Sequence, residues 1–231
     1  MTAFGRRCAL AAGLVGLLAL THGCDFATLA YFLMPETKDP ATLRQLSRKA
    51  EKEKKDPCVL ILTYGGLETR AEFVHADRQL AELLAGYLQS AAEADGEKLT
   101  IVPQRKVEEY KNSHPNWQRE ADLARVGRDF GADYIIYLEV NSLGLYEPGS
   151  ANQMFRGRAN LSVSLLDVNH PDEPVRQEPY VCVYPSEARG PINVDFDTPP
   201  EVFRQQFLNR VARELSWRFA RHHRREASYM E

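Results

Sequence analysis

Cys24 is the residue whose surroundings point most directly to a chemical event. Arg6 and Arg7 precede an uncharged apolar run over residues 8–20, and Thr21-His22-Gly23 leads into the cysteine. A basic start, an apolar centre and a small residue before the cut are the parts of a bacterial secretory signal segment. A cysteine at that point predicts lipidation of its thiol, with residues 1–23 removed. The run of 13 residues falls short of the about 20 that a membrane-crossing helix needs. An uncleaved signal anchor and cleavage nearby without lipid are the alternatives. Several acyl chains, at about 0.8 kcal/mol per buried methylene, hold a protein firmly to a membrane.

Other residues with reactive side chains are sparse. Cys58 and Cys182 each fall in a predicted strand, and an oxidising compartment would let them pair; the alternative is two buried thiols acting as small hydrophobes. His75 and Asp77 stand at a helix start, where an acid suits the positive end of the helix dipole. Arg218, Arg221, Arg224 and Arg225 surround His222-His223 at the predicted end of the last helix. They either complement the helix dipole or contact an acidic partner or anionic surface. The acids within residues 187–201 lie in a proline-rich loop. No zinc-type spacing, Gly-x-Ser-x-Gly elbow, P-loop or dinucleotide fingerprint occurs, so no metal, cofactor or catalytic residue is expected.

The elements that must position these residues follow from periodicity. Without residues 1–23 the chain keeps 208 residues, 27 basic against 32 acidic, a net charge of −5. That gives no electrostatic case for nucleic acid. Ala27–Met34 is a short apolar run that would lie on the membrane or open the fold. Residues 35–57 are dense in charges of both signs, with Leu43 and Leu46 as the only large apolar side chains; they predict a solvated helical tether. The folded domain is expected over residues 58–225, with 226–231 as a tail.

Cys58–Tyr64 is a continuous apolar run, the pattern of a strand covered on both faces. Leu80, Leu83, Leu84, Tyr87, Leu88 and Ala91 share one helical face. Leu99–Val102 predicts a strand, residues 106–112 a short helix, and Leu123, Val126 and Phe130 the buried side of another, ended by Gly131. Tyr134–Val140 is a further apolar strand, residues 144–153 a polar break, and residues 158–168 an alternating strand returning as a hairpin. Val175–Tyr184 adds a strand. The last helix begins at Pro199-Pro200 and buries Phe203, Phe207, Val211, Leu215 and Phe219. The sum is an α/β fold: one three-layer-like domain, a mixed sheet of about five strands flanked by helices.

The pieces from Cys58 to Val168, in this order, resemble the curli-secretion lipoprotein family. They are similar also to the N-terminal domain of the Tol-system propeller protein and to lipoprotein activators of penicillin-binding proteins. The resemblance is carried by VLILTY, by LAELLAGYL, by LTIVPQRKVEEY, by the strand ending in Leu166-Asp167-Val168, and most specifically by the helix-to-strand junction Gly131-Ala132-Asp133-Tyr134. It implies a lipid-tethered periplasmic domain that binds envelope proteins, oligomerises in some members, and brings no catalytic residues. Residues 141–157 are too short and polar for the pair of about 10-residue alternating strands that a membrane barrel hairpin needs. The expected role is a non-catalytic binding or assembly module facing the periplasm. A subunit of an oligomeric secretion channel and an envelope enzyme are the alternatives. Mass spectrometry of the mature N-terminus should show an acylated Cys24; a free, unacylated N-terminus would refute the lipid anchor.

Overall fold

Four consecutive side chains, Val59 to Leu62, have no solvent exposure, because their strand is sandwiched. The structure, a computed structural model, describes residues 38–49, 56–66, 73–120, 123–171, 175–194 and 198–223. All but Lys38 belong to one compact body that begins at Asp39. Strand β1 (Cys58–Gly65) sends Val59 and Ile61 into one core, and Leu60 and Leu62 into another. Helix α1 (Ala76–Ala94) follows, then β2 (Thr100–Ile101), α2 (Gln104–Ser113), a four-residue α-helical segment at Trp117–Glu120 and α3 (Leu123–Asp129). Strands β3 (Tyr134–Tyr146), β4 (Met154–Asp167), β5 (Arg176–Tyr184) and β6 (Ile192–Asn193) complete the sheet. Helix α4 (Pro200–Ser216) closes it.

The six strands run β2-β1-β3-β4-β5, with β6 beside the start of β4. The pairs β1–β2 and β1–β3 are parallel; β3–β4, β4–β5 and β4–β6 are antiparallel. Helices α1 and α4 cover one face around Leu80, Leu84, Phe207 and Val211. Helices α2 and α3 cover the β1 end of the other through Val107 and Val126. This is the mixed, layered α/β domain expected. On β4, Leu161 and Val163 are buried while Asn160 on the other side is exposed, as the alternation predicts.

The junction at residues 131–134 is built tightly. Gly131 has φ +65°, which an L side chain resists. Asp133 donates its N–H to Cys58 O at 2.7 Å and accepts from Cys58 N at 2.9 Å through Oδ2. One residue thus sets the register of β3 on β1, a role that its type alone did not reveal.

Three expectations are corrected. First, the described part of the charged stretch 35–57 is no solvated helical tether. Leu46 is 1% exposed and joins the α1/α4 core with Leu43. The backbone of residues 42–46 bonds to residues 217–219, and Arg48–Lys49 pairs with Glu97–Lys98. Ser47 Oγ and Gln45 Nε2 both donate to buried Glu97, at 2.6 and 2.5 Å. Two leucines suffice because hydrogen bonds to a distant segment hold the backbone in place. Second, the polar break is shorter than expected: β3 continues to Tyr146, with bulges after Val140 and Gly144, and buries Leu143 and Leu145. Third, the last helix ends at Ser216, so Arg218 lies in the turn beyond it and Arg221 past that turn.

Cys58 and Cys182 are not in a disulfide. Two strands stand between β1 and β5, about 14 Å across the sheet at about 4.8 Å per strand, and the registers set Cys182 level with Leu143 of β3 while Val59, next to Cys58, lies level with Tyr134; both offsets put a disulfide out of reach. Cys182 lies under α4, where burial and then Glu214 push its thiol up to about 12. Beside it Tyr180 donates to Glu214 Oε2 at 2.7 Å, and burial raises the phenol strongly.

Two predictions follow from this packing. A Cβ on Gly157 would stand 2.4 Å from the Phe207 ring, so Gly157→Ala should cost about 1–3 kcal/mol in urea unfolding, as overpacking does. An unchanged midpoint would contradict the seat of α4. The Cys182 thiol, whose folded pKa exceeds its ordinary value of 9, stabilises the fold while protonated. Its contribution is complete below pH 9 and is lost toward pH 12, by up to about 1.4 kcal/mol per pH unit. Cys182→Ala should flatten the fall in stability over that window; equal slopes would contradict the buried thiol.

Candidate functional site

A cleft of about 710 Å³ runs along the outer side of α4. Its position follows from the helix period. Phe203, Phe207, Val211 and Leu215 are wholly buried, so the opposite edge of α4, from Glu201 through Gln205, Gln206 and Asn209 to Arg213, faces outward and forms the floor. Tyr87 of α1 supplies one wall. Tyr184 and Arg189 from the turn after β5 supply the other.

Each wall is fixed. Tyr87 donates to Asn209 Oδ1 at 3.2 Å, and Arg213 lies 5.4 Å over the Tyr87 ring while donating to its hydroxyl at 3.4 Å. The Tyr184 ring stacks on Phe203 with centroids 5.6 Å apart. The turn folds on Ser186 O, which accepts from Arg189 N at 3.0 Å and Gly190 N at 3.3 Å. Glu187 ties that turn to β4 through buried Arg156 at 3.2 Å, and Arg156 also meets Glu147 at 3.3 Å. Arg210 pairs closely with Glu214, the carboxylate that also accepts from Tyr180. Arg189 is exposed and has no ion-pair partner among the described residues.

The lining carries Arg189, Arg210 and Arg213 and one acid, Glu201; Arg210 is already paired with Glu214 and Arg213 is engaged by Tyr87. It holds amide and phenol groups but no serine, cysteine, histidine or lysine. Such a lining can orient and neutralise an anionic group; it contains no pair of nucleophile and base. A smaller hollow of about 310 Å³ adjoins it at Glu201, between Val74, Tyr146 and Arg204.

The residues singled out in the sequence lie elsewhere. Cys24, Arg224 and Arg225 fall outside the described residues. Arg218 pairs with Glu178 and lies 5.4 Å over the Tyr180 ring, fastening the chain after α4 to β5. Arg221 donates to Gln45 at 3.2 Å. His75 is exposed with φ +60° and does not cap α1 through its side chain; no hydrogen bond joins it to Asp77 among the described residues. Of the loop acids, Glu187 serves the ion pairs with Arg156 and Glu201 borders the cleft, while Asp195 and Asp197 fall outside the described residues. Among those described, no three His, Cys, Asp or Glu side chains gather as a metal site, and no helix is long and apolar enough to cross a membrane. Sequence reasoning missed the cleft because its walls come from positions far apart in the chain, such as Tyr87 and Arg213.

No family model matches the chain, and no curated protein matches it. Several solved structures are similar. The PelC dodecamer from Paraburkholderia phytofirmans is 14% identical, with 81% of this chain and 97% of that one covered and a TM-score of 0.41. The hypothetical protein CT253 from Chlamydia trachomatis is 14% identical over 69% and 95%, at 0.40. Lipoprotein GNA1162 from Neisseria meningitidis is 13% identical over 68% and 98%, at 0.37. None of these is a curli-secretion lipoprotein, a Tol-system propeller protein or an activator of penicillin-binding proteins, so the comparisons lend that resemblance no support. Similarity at this level assigns neither family nor function to this chain.

Proposed function

We propose that the chain is a membrane-tethered, non-catalytic binding module of the bacterial cell envelope. Lipid on Cys24 holds it, its body faces the periplasm, and the cleft along α4 engages a protein partner. One observation carries the reading: the cleft along α4 is lined with arginine, amide and phenol groups held in place by their own hydrogen bonds, and has no nucleophile beside a base. The signal-type segment ending at Gly23-Cys24 supports the compartment. The order of pieces from Cys58 to Val168 supports kinship with envelope lipoproteins that act through other proteins.

Residues 42–46 bond to residues 217–219, just beyond the C-terminal end of α4. The cleft extends along α4 toward its other end, at Glu201, about 18 Å from Arg213 at 1.5 Å per residue.

Affinity purification of the full chain from detergent-solubilised membranes tests the proposal. Proteins should co-purify with the wild type and be lost from Arg189→Glu, a change at an exposed side chain that leaves the core intact. A chain that purifies alone, or one whose partners ignore the substitution, would contradict the role of the cleft. A closed ring of identical copies would make it a channel subunit instead.

A further inference from the structure

We propose that residues 39–49 form a releasable clasp, a strap that undocks as a unit while the rest of the body stays folded. The consequence for the tether rests on the anchor proposed at Cys24: release of the strap lengthens the chain between lipid and body. The clasp itself does not depend on that anchor or on the cleft, so its failure and the failure of the binding-module reading are distinguishable.

The strap adds little apolar surface to the body. Only Leu43, 8% exposed, and Leu46, 1% exposed, enter the core from it. Ordering a chain costs entropy at every residue, and the burial of two leucines offsets only part of that cost over residues 39–49. The balance is left to polar contacts. The N–H groups of Thr42, Leu43, Arg44 and Leu46 donate to carbonyls of residues 217–219. Arg44 pairs with Asp167 at 3.3 Å and donates to the Tyr134 hydroxyl at 2.9 Å, but its side chain is 36% exposed, and ion pairs so open to water contribute little. Arg176 and Arg221 add one bond each, at 3.3 and 3.2 Å, from exposed positions.

Glu97 sets the balance between the docked and the released strap. It is 7% exposed, and three strap residues meet it: Gln45 and Ser47 donate to its Oε2 at 2.5 and 2.6 Å, and Lys49 pairs with its backbone. Docked, this carboxylate has exchanged water for neutral donors, and a charge taken out of water is costly even when hydrogen-bonded. Released, it regains its hydration. The contact that holds the strap is thus opposed by the solvation of the same group, which brings the two states close in free energy.

The body does not need the strap for its own register. Strand β1 is held by β2 and β3, Asp133 fixes β3 on β1, and Tyr87 joins α1 to α4. No pair of the six-stranded sheet includes a strap residue. Once free, residues 39–49 can span up to about 36 Å as extended chain at 3.3 Å per residue. Docking stores that length against the body.

Hydrogen–deuterium exchange of the full chain in a non-ionic detergent, read by mass spectrometry, tests the clasp. The amides of residues 42–46 are bonded to residues 217–219 and therefore report its opening. Their protection should be about a hundredfold lower than that of the β1 amides, as in a segment that opens locally. Ser47→Ala takes one donor from the buried carboxylate and should lower strap protection about tenfold further, with β1 and α4 unchanged. Leu46→Asp should leave the strap unprotected while circular dichroism and β1 protection remain those of the folded body. Strap amides exchanging in step with β1, Ser47→Ala affecting both segments alike or neither, or Leu46→Asp unfolding the body would each overturn the proposal.

Discussion

The burial of one stripe of α4 against the sheet and α1 is the interaction on which the rest depends. Phe203, Phe207, Val211 and Leu215 follow one another at intervals of four, and none has any solvent exposure. Full burial of such side chains is worth about 1.5–3 kcal/mol each, against a total stability of about 5–15 kcal/mol for a domain. Rolling the helix by one residue, about 100°, would draw this stripe into water. The rotational setting of α4 is therefore fixed by its buried face. The outward face, with Gln205, Gln206, Asn209 and Arg213, inherits its position. Gly157 belongs to the same constraint, because only a residue without Cβ lets β4 approach the Phe207 ring this closely.

Polar contacts then join the cleft to the fold. Buried polar groups are costly unless paired, and here the pairs cross between elements. Arg210, which lines the cleft, holds Glu214, and Glu214 accepts from Tyr180 on the edge strand β5. Arg218 pairs with Glu178 on the same strand. Arg156, 7% exposed, links Glu147 to Glu187 and so sets the turn that carries Arg189. Edge strands risk pairing with other chains; β5 is fastened to α4 by side chains on its inner face and carries Pro179 within its span.

What the sequence disclosed followed from periodicity. The leucine face of α1, the phenylalanine stripe of α4 and the apolar run of β1 are repeats that a helix or strand must bury somewhere. The strap at residues 39–49 was hidden because two leucines among many charges look like a solvated helix; hydrogen bonds to residues 217–219 decide otherwise. The far half of β3 was masked by Gly144 and by Pro148-Gly149, although Leu143 and Leu145 keep the alternation. Asp133 works only because β1 lies beside β3. The cleft is the extreme case: Tyr87, Arg189 and Arg213 have no common motif, and only the packing of α1 on α4 and the turn after β5 brings them together.

The most direct test places a photo-crosslinking amino acid at Gln206, on the cleft floor, and at exposed Gln177 on β5 as a control, in cells making the full chain. The account predicts adducts to a partner protein from position 206 and not from position 177, identified by mass spectrometry. Adducts from position 177 alone, or none from the cleft, would contradict it.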